Sequence, residues 1–243
     1  MGFRKETTPP NEYEQIDGEA VCQRVKEAIP CNEYEALSEL SIELERPLAE
    51  LLYENIGINN GHVTHIGNIK KTKGKKHIPP SIKNFEELTW LNLSNLNIET
   101  ISEDIRYLDN LRDIFLNINE LRKPAPISRI APLNSYNIAG NKIQDMEDTL
   151  ENRSSLEHLS LGYNKLETLP EYIAELPQLN YLSFPENKIT TLTENQMRNF
   201  YKLHYYDGTG NPFKGISKHN HKLIQKQNDK RHEYKNLINN MIR

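Results

Sequence analysis

His62, His65 and His77 lie close together in the chain, as do His219 and His221, and imidazole is the commonest protein ligand for transition metals. A metal centre also needs cysteine or carboxylate partners, or further histidines, at recognised spacings, and neither group has them. Gly74-Lys75-Lys76 resembles the end of a phosphate-binding loop, but Ile69 stands where its first glycine belongs and Lys76 replaces the Ser or Thr. No Gly-x-Ser-x-Gly nucleophile elbow occurs. The carboxylates fall on variable, solvent-facing positions. The chain therefore reads as a non-enzyme with no catalytic residue, no metal and no cofactor.

The residues that remain distinctive are asparagines and leucines in a fixed phrase. Its clearest copy is Leu156-Glu-His-Leu159-Ser-Leu161-Gly-Tyr-Asn164-Lys-Leu166. Copies begin at Leu88, Leu111, Leu133, Leu156, Leu179 and Leu203, with one weaker copy at Gly61-His-Val63-Thr-His-Ile66. The second apolar column holds Leu91, Ile114, Tyr136, Leu159, Leu182 and Tyr206, and the third holds Leu93, Leu116, Ile138, Leu161 and Phe184 before lapsing to Gly208. Asn119, Asn141, Asn164, Asn187 and Asn211 form a column of their own.

Leu-x-Leu is a short strand with alternate residues inward. One turn cannot bury its apolar face, so copies must stack into a parallel sheet over a continuous core. An amide that both donates and accepts suits the buried exit from each strand. Beyond it, Ile101, Ile105 and Leu108, or Leu169, Ile173 and Leu176, predict short helical turns on the outer side. Pro124-Ala-Pro126 forbids a regular helix in the copy from Leu111. The weak first copy carries a basic insertion from Lys70 to His77.

This register resembles the leucine-rich-repeat family over about 150 of the 243 residues, in the style of Leu-Pro-x-x-Ile repeats found in bacterial and archaeal proteins and in Ras-pathway scaffold proteins. The Asn60–Ile66 segment, preceded by an acidic helical stretch, is similar to small prokaryotic members. The resemblance implies an α/β right-handed solenoid with a parallel concave sheet and short convex helical turns. It also implies protein binding on the concave sheet, without naming a partner. Some bacterial relatives are ubiquitin ligases with a cysteine nucleophile after the repeats, but no cysteine follows Phe213 here.

The register exposes three strand columns. The third position of each copy gives His65, Trp90, Asp113, Ser135, His158, Tyr181 and Tyr205; the fifth gives Gly67, Asn92, Phe115, Asn137, Ser160, Ser183 and Asp207; the eighth adds Asn95, Ile118, Gly140, Tyr163, Glu186 and Gly210. Trp90, Phe115, Ile118, Tyr163, Tyr181 and Tyr205 are apolar or aromatic where the repeat requires nothing of the kind. With His158 they form two candidate partner-binding patches: Trp90/Phe115/Ile118, and His158/Tyr163/Tyr181/Tyr205. Lateral packing between neighbouring strands is the competing explanation.

Four segments follow: a disordered polar stretch at 1–17, a helical N-terminal cap at 18–58, the solenoid at 59–213, and a basic helical cap or tail at 214–243. In the cap, Val21, Val25, Ala28 and Ile29 share one helical face, Tyr34, Leu37, Leu40 and Leu44 another, and Gly57 is a helix stop after a third turn begun by Pro47. Residues 11–54 hold 12 acidic and 3 basic side chains, whereas 214–243 hold 8 basic and 2 acidic, within a net charge of −4. That balance gives no generic nucleic-acid affinity. No apolar run is long enough for a membrane span, and the start is not a signal peptide. Cys22 and Cys31 favour a reducing, cytoplasmic setting, with a Cys22–Cys31 disulfide as the alternative. The expected function is a monomeric scaffold or adaptor. A regulator in trans of a small GTPase or phosphatase is second, and a peripheral membrane adaptor acting through the basic tail is third.

Overall fold

The computed structural model describes residues 18–214, apart from 68, 71–72, 129, 147–149, 151–152 and 201. The segments read as a disordered N-terminus (1–17) and a basic tail (most of 214–243) lie outside the described residues.

Three helices open the chain: α1 (Gly18–Ala28), α2 (Cys31–Glu43) and α3 (Leu48–Glu54). Pro30 and Pro47 stand at the N-caps of α2 and α3, where proline ends one element and presets the next. Leu37, Leu40 and Leu44 are buried, as their spacing predicts, and Val21 and Val25 are half-buried against the same core. Both cysteines are free, and the Cys31 thiol donates to the Glu35 carboxylate at 3.5 Å.

Gly57 is not the predicted helix stop. It lies in β1 (Ile56–Asn59), which pairs antiparallel with β2 (His62–Ile66) around an Asn60–Gly61 turn. Both turn residues have positive φ, 50° and 79°, the geometry that lets a two-residue hairpin follow strand twist. Asn-Gly was therefore a hairpin signal inside the cap, overshadowed by the helical pattern before it.

From β2 onward the pairing is parallel. β4 (Trp90–Asn92), β6 (Asp113–Phe115), β7 (Ser135–Asn137), β8 (His158–Ser160), β9 (Tyr181–Ser183) and β10 (Tyr205–Asp207) are three-residue strands in one eight-stranded sheet. Its order is β1-β2-β4-β6-β7-β8-β9-β10. A smaller parallel pair lies off this sheet, β3 (Lys76–Ile78) with β5 (Ile98–Ile101). The basic insertion thus contributes a strand, and Ile101 ends a strand rather than lying on a helical turn.

The outer turns are short 3-10 segments at Pro80–Asn84, Glu103–Tyr107 and Glu171–Glu175, burying Ile82, Ile105 and Ile173. A seven-residue helix, α4 (Glu194–Phe200), replaces them in a later copy. Thr193 and Gln196 form a reciprocal capping box there: Gln196 N–H donates to Thr193 Oγ1 at 3.1 Å, and Thr193 N–H to Gln196 Oε1 at 3.0 Å.

Among its described residues the copy containing Pro124 and Pro126 has no helix, so its backbone groups need other partners. Tyr136 supplies one: its buried hydroxyl receives the Ala125 N–H at 3.0 Å. Burial drives its phenol pKa up, so it stays a neutral hydroxyl. Arg153, also buried, donates to the carbonyls of Ile127 and Ser128.

The core is one stack of columns. Leu91, Ile114, Leu159 and Leu182 in one, and Leu93, Leu116, Ile138, Leu161 and Phe184 in the next, are fully buried. Gly208 breaks the second column because aromatic rings already fill that space. A Cβ there would stand 2.9 Å from the Phe184 ring, which packs against Tyr206, Phe200 and Phe213 at centroid distances of 5.3, 6.3 and 6.5 Å.

Glu33 ties the helical cap to the sheet. Buried on α2, it accepts from the Val63 N–H at 2.7 Å, and its other oxygen is 2.7 Å from His62 Nδ1. The hydrogen bond to Glu33 raises the His62 pKa above its ordinary 6.5. A histidine raised on folding stabilises the fold fully below its unfolded pKa, and that contribution is lost as pH rises through the folded value. Thermal melts from about pH 6 to about pH 8.5 should therefore show a decline in this contribution that His62→Ala abolishes. Identical pH profiles for the two proteins would refute it.

Candidate concave binding face

The strand register places the exposed columns side by side. His65, Trp90, Asp113, Ser135, His158, Tyr181 and Tyr205 pair in succession across the sheet, and Asn92, Phe115, Asn137, Ser160, Ser183 and Asp207 do the same two residues on. Parallel strands lie about 4.8 Å apart, so rings on neighbouring strands must meet.

They meet in two rows. His65, Trp90 and Phe115 form the first, with centroids 6.2 Å and 5.9 Å apart. Trp90 leans back over Gly67, where a Cβ would come within 2.4 Å of the indole. His158, Tyr181 and Tyr205 form the second: the histidine is 6.0 Å from Tyr181, and the two tyrosines stack at 4.2 Å with planes 4° apart. Lateral packing is therefore real, yet Trp90, Phe115, Tyr181 and Tyr205 are only half-buried and His158 is exposed. Preassembled rings keep an accessible face and have little rotamer freedom left to lose on binding.

Ile118 and Tyr163 stand apart. Among the described residues neither shares a ring contact with the rows, and they are 58% and 64% exposed. Both sit in the eighth column, where backbone φ is positive in every copy: 61° at Asn95, 57° at Ile118, 68° at Gly140, 55° at Tyr163, 53° at Glu186 and 72° at Gly210. Glycine or asparagine suits that region; a β-branched residue is a genuine outlier. Exchanging Ile118 for asparagine should relieve about 1 kcal/mol of strain, read as a higher urea midpoint. No gain, or a loss, would mean that the Ile118 contact over Gly140 outweighs the strain.

The fifth column is less available than its register implies. Asn92, Asn137 and Asp207 turn back, each accepting from the backbone N–H two residues on, at 3.1 Å. Asp207 is buried and also receives the Thr209 hydroxyl at 2.8 Å. These side chains shape the strand exits. The small polar stretch around Ser135, Asn137 and Gly140 separates the two aromatic rows.

Below the exits runs the asparagine ladder. Each amide oxygen accepts a backbone N–H from the preceding copy: Leu121 to Asn141, Ile143 to Asn164, Leu166 to Asn187 and Ile189 to Asn211, all at 3.0 Å. Asn119 accepts from both Leu96 and Ile98. Each amide nitrogen donates to carbonyls of its own and the preceding copy. Residues 132–189 match the family described as leucine rich repeat. These are leucine-rich repeats.

Leucine-rich-repeat proteins generally act in protein–protein interaction and are typically non-catalytic. A leucine-rich-repeat protein of Leptospira interrogans shares the fold at a TM-score of 0.51 and 22% identity, over 57% of this chain and 35% of that one. The leucine-rich-repeat ectodomain of the receptor kinase SOBIR1 from Arabidopsis thaliana aligns at a TM-score of 0.49 and 20% identity, over 76% and 96% of the two chains. The chain thus spans about a third of the Leptospira protein's length. No curated protein sequence matches the chain. Among the described residues, no three His, Cys, Asp or Glu side chains are grouped to hold a metal ion, and no helix is long and apolar enough to cross a membrane.

Proposed function

We propose that this leucine-rich-repeat chain is a non-catalytic scaffold or adaptor, monomeric and cytoplasmic, that seats a partner protein on its concave sheet. The observation that carries the reading is the pair of aromatic rows, His65–Trp90–Phe115 and His158–Tyr181–Tyr205, on columns that the repeat leaves free. The core is already complete without them, since the inward columns are fully buried on their own. Rigid aromatic side chains dominate binding hot spots, where truncating one costs about 2 kcal/mol or more.

The test is affinity capture comparing the native chain with a Trp90→Ala/Phe115→Ala/Tyr181→Ala variant whose circular dichroism is unchanged. A partner held by the native chain should lose at least about a hundredfold in affinity to the variant. Equal capture by both would move the site off the concave face. Tyr163 and Ile118 serve this reading as exposed anchors at the rim, and each single alanine variant gauges its share.

A further inference from the structure

From Trp90 onward the three exposed columns contain no lysine or arginine, although the chain as a whole has 30. Their carboxylates are Asp113, Glu186 and Asp207, and Asp207 is already buried against Thr209. Asp113 and Glu186 remain, the first in register with Trp90 and the second on the eighth column. Asp113 pairs in register with Trp90 on one side and Ser135 on the other, and Phe115 follows it two residues on along the same face. It is half-buried, and neither its carboxylate nor that of Glu186 has a hydrogen-bond or ion-pair partner among the described residues. Glu186 is exposed in the same copy as Tyr181, with its carboxylate lying over Gly210 of the next copy. The nearest fixed cation in sequence to Asp113 is the exposed Arg112, which precedes the strand.

A carboxylate in register with a half-buried indole on the neighbouring strand suits one chemical class. A guanidinium or ammonium group is attracted to the ring's negative face, forms charge-assisted bonds to the carboxylate, and buries its aliphatic stem along the ring. From Trp90 onward these columns offer a phosphate-bearing ligand no lysine or arginine. Resting on the concave-face reading above, we propose that the surface recognises a basic segment of a partner protein: a Lys or Arg side chain seats over the Trp90–Phe115 pair against Asp113, and a second seats on the face of the Tyr181–Tyr205 stack.

Trp90 is the sole tryptophan, so its emission reports occupancy of the first row directly. A phage-displayed random peptide library, selected on the intact chain, supplies the probes. Recovered peptides should carry more Lys and Arg than Asp and Glu, shift Trp90 emission, and weaken with added salt. Asp113→Asn keeps shape and removes charge, and should weaken them about tenfold. Peptides with no basic excess, or with full affinity for the Asp113→Asn protein, overturn this inference; if they still lose binding on Trp90→Ala, the concave-face reading stands. An empty selection, or peptides indifferent to both Trp90→Ala and Tyr181→Ala, overturns both. A single-stranded oligonucleotide that shifts Trp90 emission and competes with the peptides also overturns the basic-segment assignment.

Discussion

Asn164→Ala should lower unfolding stability by about 3 kcal/mol, and Asn164→Asp, the closer isostere, should cost more than alanine. The side chain accepts the Ile143 N–H at 3.0 Å and donates to the carbonyls of Ile138 and Leu161 at 2.9 and 3.1 Å, in a buried position. Alanine strands the Ile143 donor, while the two carbonyls retain Asn141 and Asn187 as donors. Aspartate keeps the acceptor but turns the donating nitrogen into an oxygen facing two carbonyl oxygens, and adds a buried charge. Each copy touches only its neighbours, so the damage should centre on the copies from Leu133 and Leu156, visible as lost amide protection at Lys142–Lys165 before global unfolding. Urea denaturation ranks the three proteins. Aspartate tolerated as well as alanine, or an alanine cost below about 1 kcal/mol, would contradict the ladder's role.

A comparable effect is expected at the junction of cap and insertion. Lys76 is buried, with its side chain 2% exposed, and its ammonium lies 2.8 Å from Glu45 Oε1. Removing one partner of such a pair leaves an uncompensated charge, whereas replacing the lysine by an apolar residue of similar length removes the requirement altogether. Glu45 is 62% exposed, so solvent screens the loss, and Glu45→Gln should destabilise by about 2 kcal/mol, whereas Lys76→Met should fall within about 1 kcal/mol of the native chain and the double variant should match Lys76→Met. A Lys76→Met protein as unstable as Glu45→Gln would show that the lysine matters beyond the pair. The same region holds the Glu43 carboxylate accepting the His77 N–H at 2.6 Å and a Lys75–Glu99 ion pair. The acidic helices and the basic insertion thus partly neutralise each other.

Particular residues show where sequence reasoning ended. The concave columns could be assigned without coordinates because a strand alternates strictly, so fixing one leucine of each copy fixes which neighbours face out. That logic placed Trp90 beside Asp113 and Tyr181 beside Tyr205 in the pairing found. It failed where side chains choose their own partners. Asn92 and Asn137 turn back to cap their strand exits, and Ile118 and Tyr163 leave the rows because a left-handed backbone redirects them. Thr193-x-x-Gln196 and Asn60-Gly61 were readable signals of a helix start and a hairpin, missed beneath stronger neighbouring patterns. Tyr136 and Arg153 carried no such local signal, since their polar ends satisfy backbone 11 and 25 residues away.

The repeat phrase alone determined the solenoid, its parallel sheet, its buried columns and its exposed ones, because a periodic sequence that cannot bury one copy must stack them in register. Only the tertiary structure decided that the aromatic residues form two separate rows, that Asp113 has no ion-pair partner among the described residues while Asp207 is sequestered, and that Glu33, Glu45 and Lys76 bind cap to sheet. Those outcomes depend on which side chains meet across distant copies, and periodicity fixes where a side chain starts, not what it touches.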